Sequence, residues 1–348
     1  MEEGIRMKKA VTIKEIADSL GLSRNTVSKV LNGQKMPAKT REIVLRKASE
    51  LNYKSVNFDI NKAKRYRILL LSGKPLHNIE FYLPVIKSIE NGCFDNHYEF
   101  FQYTYNSNNT PFEAIASHIK ELKVDGILAI ECFDPSFIVE LAKLGIPLCF
   151  IDFPGTKFDL DEPFDLVCCS DQKLFCESAK SLIQDYKVKR FCFVGDYRHC
   201  LSFHERYMGM IRGLIRSGIT HIQGNDILDK DDEFDYGDHK ALRRRIESLQ
   251  KTPEVFMCCN DFIARQVIHA LKDMGINVPQ DALVVGFDGT KTAMEDKPTL
   301  TTFNVDKDAL GNEALRSLIY RIEHRSSPSK TTMMDCKPII GESTSRNR

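Results

Sequence analysis

Two sets of side chains in this sequence have types and spacings that could do chemistry. The first is Arg24, Asn25, Ser28 and Lys29, within the stretch TIKEIADSLGLSRNTVSKVLNG from Thr12 to Gly33. On a helix these four fall on one side, opposite Val27, Val30 and Leu31. Guanidinium and carboxamide groups can each make paired hydrogen bonds to the edges of guanine and adenine. The second set closes four apolar runs: Asp152, Asp196, the pair Asn260–Asp261, and Asp288. Carboxylates and amides at such positions accept paired hydrogen bonds from vicinal hydroxyls, or meet a cationic group. Any one of them could equally cap the next helix or make a turn.

The elements that must position the first set read clearly. Ile13, Ile16, Ala17 and Leu20 define one helical face, and Thr12 with Glu15 forms a capping box at its start. Gly21 can take the left-handed conformation that ends this helix, and Ser23 caps the next one. Two short helices with a tight turn between them, the second showing a polar and basic face, are the layout of a helix-turn-helix. A third helix from about Thr40 should turn Ile43, Val44, Ala48 and Leu51 inward, completing a three-helix head over 1–53.

Tyr53 to Arg67 has no apolar period and reads as a hinge, 54–67. From there apolar runs alternate with amphipathic stretches. RILLLS, YEFFQYT, DGILAIE and PLCFIDF read as strands, with helices near 80–94, 111–123 and 135–144 between them. LVCCSD, KRFCFVGD, EVFMCCND and ALVVGFD continue the series. Strands buried on both faces and separated by helices predict doubly wound parallel sheets. The fold class is therefore α/β, with two lobes over 68–348. The first is expected at about 68–165 and 299–325, the second at about 166–298 and 326–348. In open α/β sheets ligands bind beyond the carboxyl ends of strands, so Asp152, Asn260 and Asp288 should converge on one cleft.

Composition narrows the function classes. The 348 residues carry a net charge of +1, which hides an asymmetry. Residues 1–67 hold 16 Lys+Arg against 7 Asp+Glu, and the remainder holds 33 against 41. A basic head on an acidic body suits a polyanion-binding module joined to one that does not bind nucleic acid. No apolar run reaches membrane-span length and the start lacks a signal peptide's apolar core, so a cytoplasmic protein with no membrane partner is expected. Eleven scattered cysteines without a CxxC pair read as buried reduced thiols. There is no GxGxxG after a strand, no P-loop, no GxSxG and no HExxH. His199, Cys200 and His204 lack further ligands at metal-site spacing and read as a surface segment. No enzyme activity, cofactor or metal is expected.

GLSRNTVSKVLNG followed by TREIVLRKASELNY closely resembles the amino-terminal signature of the lac-repressor (LacI/GalR) family of bacterial transcription regulators. IPLCFIDF, SFHERYMGMIRGL, TPEVFMCCNDFIARQVIHALKDMGINVPQDALVVGFDG and PTLTTFNVD resemble landmarks of that family's effector-binding core, whose fold is periplasmic-binding-protein-like. The resemblance implies a homodimeric regulator, most often a repressor, on a pseudo-palindromic double-stranded DNA operator. Ser23, Arg24, Asn25, Thr26, Ser28 and Lys29 would contact DNA. A sugar or sugar derivative would meet Asp152, Arg206, Asn260 and Asp288, with Phe81, Tyr82 and Asn78 from the loop after the first strand. Arg206 has a structural ion pair as its alternative role, and Phe234 and Tyr236 are better read as core than as stacking platforms. Control by a protein partner or a nucleobase corepressor is the rival reading. A transport-type binding protein is disfavoured by the head.

The hinge departs from the resemblance. Relatives insert a leucine wedge into the minor groove there, and the aligned position holds Lys62. A wedge replaces base stacking with apolar contact, whereas an ammonium stays hydrated and prefers phosphate. Lys62, with Lys64, Arg65 and Arg67, should therefore contact the DNA backbone, unless Phe58 or Ile60 substitutes as wedge. Lys62→Leu is expected to increase operator bending and to tighten binding at sites with a flexible central pyrimidine–purine step. Strong wild-type bending that Phe58→Ala abolishes would instead make Phe58 the wedge; electrophoretic phasing measures both.

Overall fold

The computed structural model describes residues 11–31, 36–51, 65–73, 79–106, 110–154, 160, 163–169, 171–221 and 224–346. Two compact units emerge, Met1–Arg65 and Tyr66–Arg348. Lys62, Lys64, Phe58, Ile60 and Asn78 lie outside the described residues.

The head comprises α1 (Ile13–Leu20), α2 (Arg24–Leu31) and α3 (Ala38–Glu50). The capping box is present: the Glu15 amide donates to Thr12 Oγ1 at 3.3 Å, and the Thr12 amide to Glu15 Oε2 at 2.6 Å. Gly21 closes α1 at φ 63°, a conformation that costs glycine least. Ser23 Oγ accepts from the Thr26 amide at 3.0 Å and so caps α2. Ile16, Ala17, Val27, Val30, Leu31, Val44 and Ala48 are buried together, and Leu51 packs against them half-buried. Each helix alone is too short to persist in water, so this shared core holds all three.

In the larger unit, β1 (Arg67–Ser72), α4 (Ile79–Asp95), β2 (Glu99–Thr104), α5 (Phe112–Leu122), β3 (Gly126–Ile130), α6 (Pro135–Ala142), β4 (Leu148–Ile151) and β5 (Phe164–Cys169) follow one another. Then come α7 (Asp171–Tyr186), β6 (Phe191–Val194), α8 (Leu201–Arg216), α9 (His239–Glu247), β7 (Val255–Cys258), α10 (Asp261–Asp273), β8 (Leu283–Val285), α11 (Lys291–Glu295) and β9 (Thr302–Asn304). α12 (Lys307–Glu323), β10 (Lys330–Met334) and β11 (Lys337–Ile339) follow, and then a 3-10 turn at Glu342–Thr344. The first sheet runs β2-β1-β3-β4-β5-β10, all parallel. The second runs β6-β7-β8, extended by parallel bridges from Val194 to Ile227 and from Val285 to Thr301. β9 pairs antiparallel with β11. Both sheets are doubly wound, with the strand order reversing beside β1 and beside β6.

The chain crosses between the sheets after Cys169, between Asn304 and Lys307, and between Met334 and Lys337. The expected lobe limits at 165/166, 298/299 and 325/326 each fall several residues early. An apolar run such as LVCC does not say which sheet it joins, and pairing with β4 places β5 in the first. Arg67 also departs from its hinge reading. It opens β1, its Nε donates to Glu99 at 3.1 Å, and its guanidinium lies over the Phe101 ring at 5.0 Å. All eleven cysteines are buried and free of disulfides.

A buried ion pair fastens α12 to the first sheet. Arg321 donates to Asp165 and to the carbonyls of Ser327 and Pro328, and the Lys330 amide donates to Asp165 at 2.9 Å. Both side chains are almost wholly out of solvent. Removing one partner leaves a buried charge unpaired, which costs about 3–5 kcal/mol. Arg321→Met should lower the urea-unfolding free energy by that amount; a loss below about 1 kcal/mol would show that α12 is held by packing alone.

Candidate functional site

On the head, Arg24, Asn25 and Lys29 are exposed along one face of α2, while Thr26 and Ser28 are half-buried. Ser23 and Thr26 hydroxyls lie 2.8 Å apart and hydrogen-bond each other, so capping already engages both. The longer side chains are the ones free to reach a groove.

In the larger unit the strand ends surround a cavity of about 500 Å³. Phe81 and Tyr82 from the start of α4, Asp152 after β4, Arg206 from α8, Asn260 after β7 and Asp288 after β8 all line it. These are six of the seven positions expected to contact the effector, the seventh, Asn78, lying outside the described residues. Asp196 and Asp261 close comparable strands but serve the fold. Asp196 holds the Arg198 guanidinium at 2.8 Å. Asp261 accepts from the Thr290 amide at 2.8 Å and from the Thr302 hydroxyl at 2.6 Å, and a Cβ on Gly286 would stand 2.3 Å from its carboxylate. Burial lifts its carboxyl to about 6 despite those donors.

The lining acids sit on unusual backbone. Asp152 has φ 64°, Asp288 φ 111° and Glu131 φ 55°. Positive φ is uncommon for residues with a Cβ, and it turns each side chain out of the strand line. Asp152 Oδ1 accepts from the Phe153 amide at 2.8 Å and the Ser202 amide at 3.2 Å, tying β4 to the start of α8. Asn260 caps α10 by accepting from the Ile263 amide at 2.9 Å.

Arg206 makes the structural ion pair that was its alternative role. Its Nε donates to Asp171 Oδ2 at 3.1 Å, Nη1 donates to the Cys259 carbonyl, and the guanidinium lies 3.7 Å from the centre of the Phe287 ring. It is also part of the cavity wall. Burial raises the Asp171 carboxyl to about 6, against the pull of Arg206.

Several lining residues escaped the sequence reading. Glu131 directly follows β3, where the strand-end rule that marked Asp152 applies equally. His199 is no surface residue. It lines the cavity half-buried, with Nδ1 3.0 Å from Asp231 Oδ2 and Nε2 3.9 Å from Glu131 Oε2. Cys200 beside it is buried. Phe234 and Tyr236 pack into the core as expected, yet they line the cavity too. The Tyr236 hydroxyl donates to the Asp229 carbonyl at 2.8 Å. The signal for this wall was the run DDEFDYGD from Asp231 to Asp238, acidic and aromatic together.

A helix-turn-helix head and a two-sheet core with a cavity at its strand ends define a class: ligand-binding regulators of DNA. Comparison with known proteins agrees. A helix-turn-helix family matches residues 5–41, and a periplasmic binding protein-like domain matches 185–344. Similar proteins include HTH-type transcriptional repressors PurR of Mannheimia succiniciproducens, 25% identical over 96% of this chain and 99% of the relative, and of Haemophilus influenzae strain Rd, 27% identical over 90% and 92%. A transcriptional regulator CelR–cellobiose complex has the same fold, with a TM-score of 0.68 at 20% identity over 96% and 99% of the two chains. So does a lac repressor dimer bound to operator and an anti-inducer, with a TM-score of 0.62 at 21% identity over 97% and 99%. Together these matches support a regulator of the lac-repressor (LacI/GalR) family.

The raised Asp171 carboxyl makes a signed prediction. A carboxyl that holds its proton more tightly folded than unfolded contributes stability below the unfolded value of about 3.9, and loses it as pH climbs to about 6. Asp171→Asn removes that limb. The wild-type minus variant difference in unfolding free energy should fall by roughly 1.4 kcal/mol per pH unit across the window. Urea titrations at half-unit pH steps read it, and parallel curves would refute it.

Proposed function

We propose that this chain is a sequence-specific DNA-binding transcription regulator, a repressor, controlled by a sugar or sugar derivative bound in the core cavity. The observation that carries the reading is the convergence of Asp152, Asn260, Asp288 and Arg206 with Phe81 and Tyr82 around one volume of about 500 Å³. That volume suits a small ligand, and strand-end carboxylates beside aromatic rings suit a polyhydroxylated one. Relatives named as transcriptional repressors support the sign of regulation. Fold neighbours solved with cellobiose or ribose support the ligand class.

On DNA, Arg24, Asn25 and Lys29 reach base edges, and Ser23, Thr26 and Ser28 meet phosphates or edges. One recognition helix reads only a few base pairs, so two heads on a pseudo-palindrome supply useful specificity. The chain therefore works as a homodimer joined through the acidic core, in the cytoplasm. Ligand binding shifts the core between arrangements that present the two heads differently.

Fluorescence anisotropy on a selected operator tests this. Log affinity should fall with log salt at a slope of roughly −0.9 per phosphate neutralised. Arg24→Ala should cost about 1–3 kcal/mol and relax preference at one operator position. Equal binding to unrelated duplexes at every salt concentration, or a monomer by sedimentation with and without operator, would refute it.

A further inference from the structure

Charge on the cavity wall is lopsided. Glu131, Asp152, Asp231 and Asp288 face the interior from both sheets, and Asp232, Glu233 and Asp235 continue along one rim. Against seven carboxylates the lining holds one guanidinium, Arg206, and one imidazole, His199. Arg206 pairs with Asp171 at 3.1 Å and is also drawn by Asp288, so its one charge is shared between two acids. His199 serves two of the acids, Asp231 and Glu131. Other cations nearby are committed. Arg198 pairs with Asp196, Lys230 pairs with Glu233 at the exposed rim, and the Lys307 ammonium donates to the carbonyls of Asp288 and Val305. Even with His199 protonated, the wall keeps a surplus of negative charge.

That surplus lines a half-open cavity, and aromatic rings border the same volume. Phe81, Tyr82, Phe203, Phe234 and Phe262 all contribute to it. Ring faces attract cations, and more strongly when water is excluded. A neutral ligand filling this space would strip water from several carboxylates and return no charge to them. An anionic ligand would meet repulsion from both sheets.

We propose that the ligand of this cavity is a cation, a polyhydroxylated primary amine of amino-sugar size. Its ammonium sits among the Glu131, Asp152, Asp231 and Asp288 carboxylates, and its hydroxyls take the remaining acceptors. This rests on the cavity being the effector site, and it narrows the ligand from sugars in general to aminated ones.

The test uses the full-length chain and matched trios at low ionic strength. Calorimetry compares glucosamine with glucose and with N-acetylglucosamine, galactosamine with its two counterparts, and spermidine as an amine without a ring. Glucose removes the charge at constant size, and N-acetylation removes it at greater size. The expected result is at least tenfold tighter binding of an amine than of both its neutral counterparts. That margin should shrink to within threefold in Asp231→Asn. Asp231 is half-buried in a loop, and thermal unfolding verifies that the variant is folded. Asp152→Asn gives a second, independent carboxylate removal.

Neutral sugars binding as tightly as amines, a phosphorylated sugar binding better, or silence across all the amines would each overturn the cationic ligand. Failure of the effector reading looks different. A ligand held in the cavity, with affinity sensitive to Asp152→Asn, would leave operator affinity unchanged. The anisotropy assay separates the two.

Discussion

The Asp171–Arg206 ion pair is the contact on which the cavity depends. Arg206 rises from α8, yet its guanidinium joins the first residue of α7, the carbonyl that ends β7 and the phenyl ring that follows β8. Asp171 stands two residues past the point where the chain leaves the first sheet. One buried cation thus sets the distance between a crossover and two strand ends. Its charge is tolerable only because Asp171 remains ionised, and burial opposes that ionisation. One oxygen of Asp171 has no hydrogen-bond partner. The wall is therefore rigid where Arg206 grips it and costly to assemble, a pattern expected of a binding site rather than of plain core.

The second constraint is backbone. Six non-glycine residues among those described adopt positive φ, and three of them, Glu131, Asp152 and Asp288, line the cavity. A strand normally passes its last side chain to one face of the sheet. A left-handed residue at the carboxyl end swings the side chain into the space beyond it, where ligands bind in open α/β folds. Asp152 is held there by two amides, and Asp288 by its own amide donating to Phe303 at 3.1 Å. Local strain is offset by backbone hydrogen bonds that the neighbouring helix start and strand supply.

Much of this was legible because buried parallel strands are apolar on both faces, so the first polar residue after each run stands out. That contrast marked Asp152, Asn260 and Asp288. It marked Asp196 and Asp261 equally, because a strand-end acid that pairs with an arginine or braces a turn looks the same in one dimension. The head was legible down to its caps, since α1 and α2 are specified by residues three and four apart. Other features depend on contacts distant in sequence. β10 reads KTTMM and lies at a sheet edge, so it has one strand neighbour and no need of an apolar run. His199 looked like surface because the acids that flank it come from the end of β3 and from the run after Ile227. Arg206 could not be split between wall and ion pair because it is both.

Electrostatics then connects the ligand to motion. Glu131 follows a strand of the first sheet and Asp231 lies on the side of the second, and His199 stands between them. Across the same cleft the Thr292 hydroxyl of α11 donates to Glu80 of α4. Bringing two acidic walls together costs free energy that grows as water leaves, since the effective dielectric falls with it. A ligand with positive charge reverses that term, because it is attracted to both walls at once and most strongly when they are near. Such a ligand has higher affinity for the closed arrangement than for the open one, and this differential affinity is the only way a ligand can shift a conformational equilibrium. A neutral sugar must draw the same preference from hydrogen bonds alone while the carboxylates oppose it. With the proposed ligand, the acidic wall would be more than a recognition surface: like charges would resist closure of the empty core, and charge neutralisation would favour it.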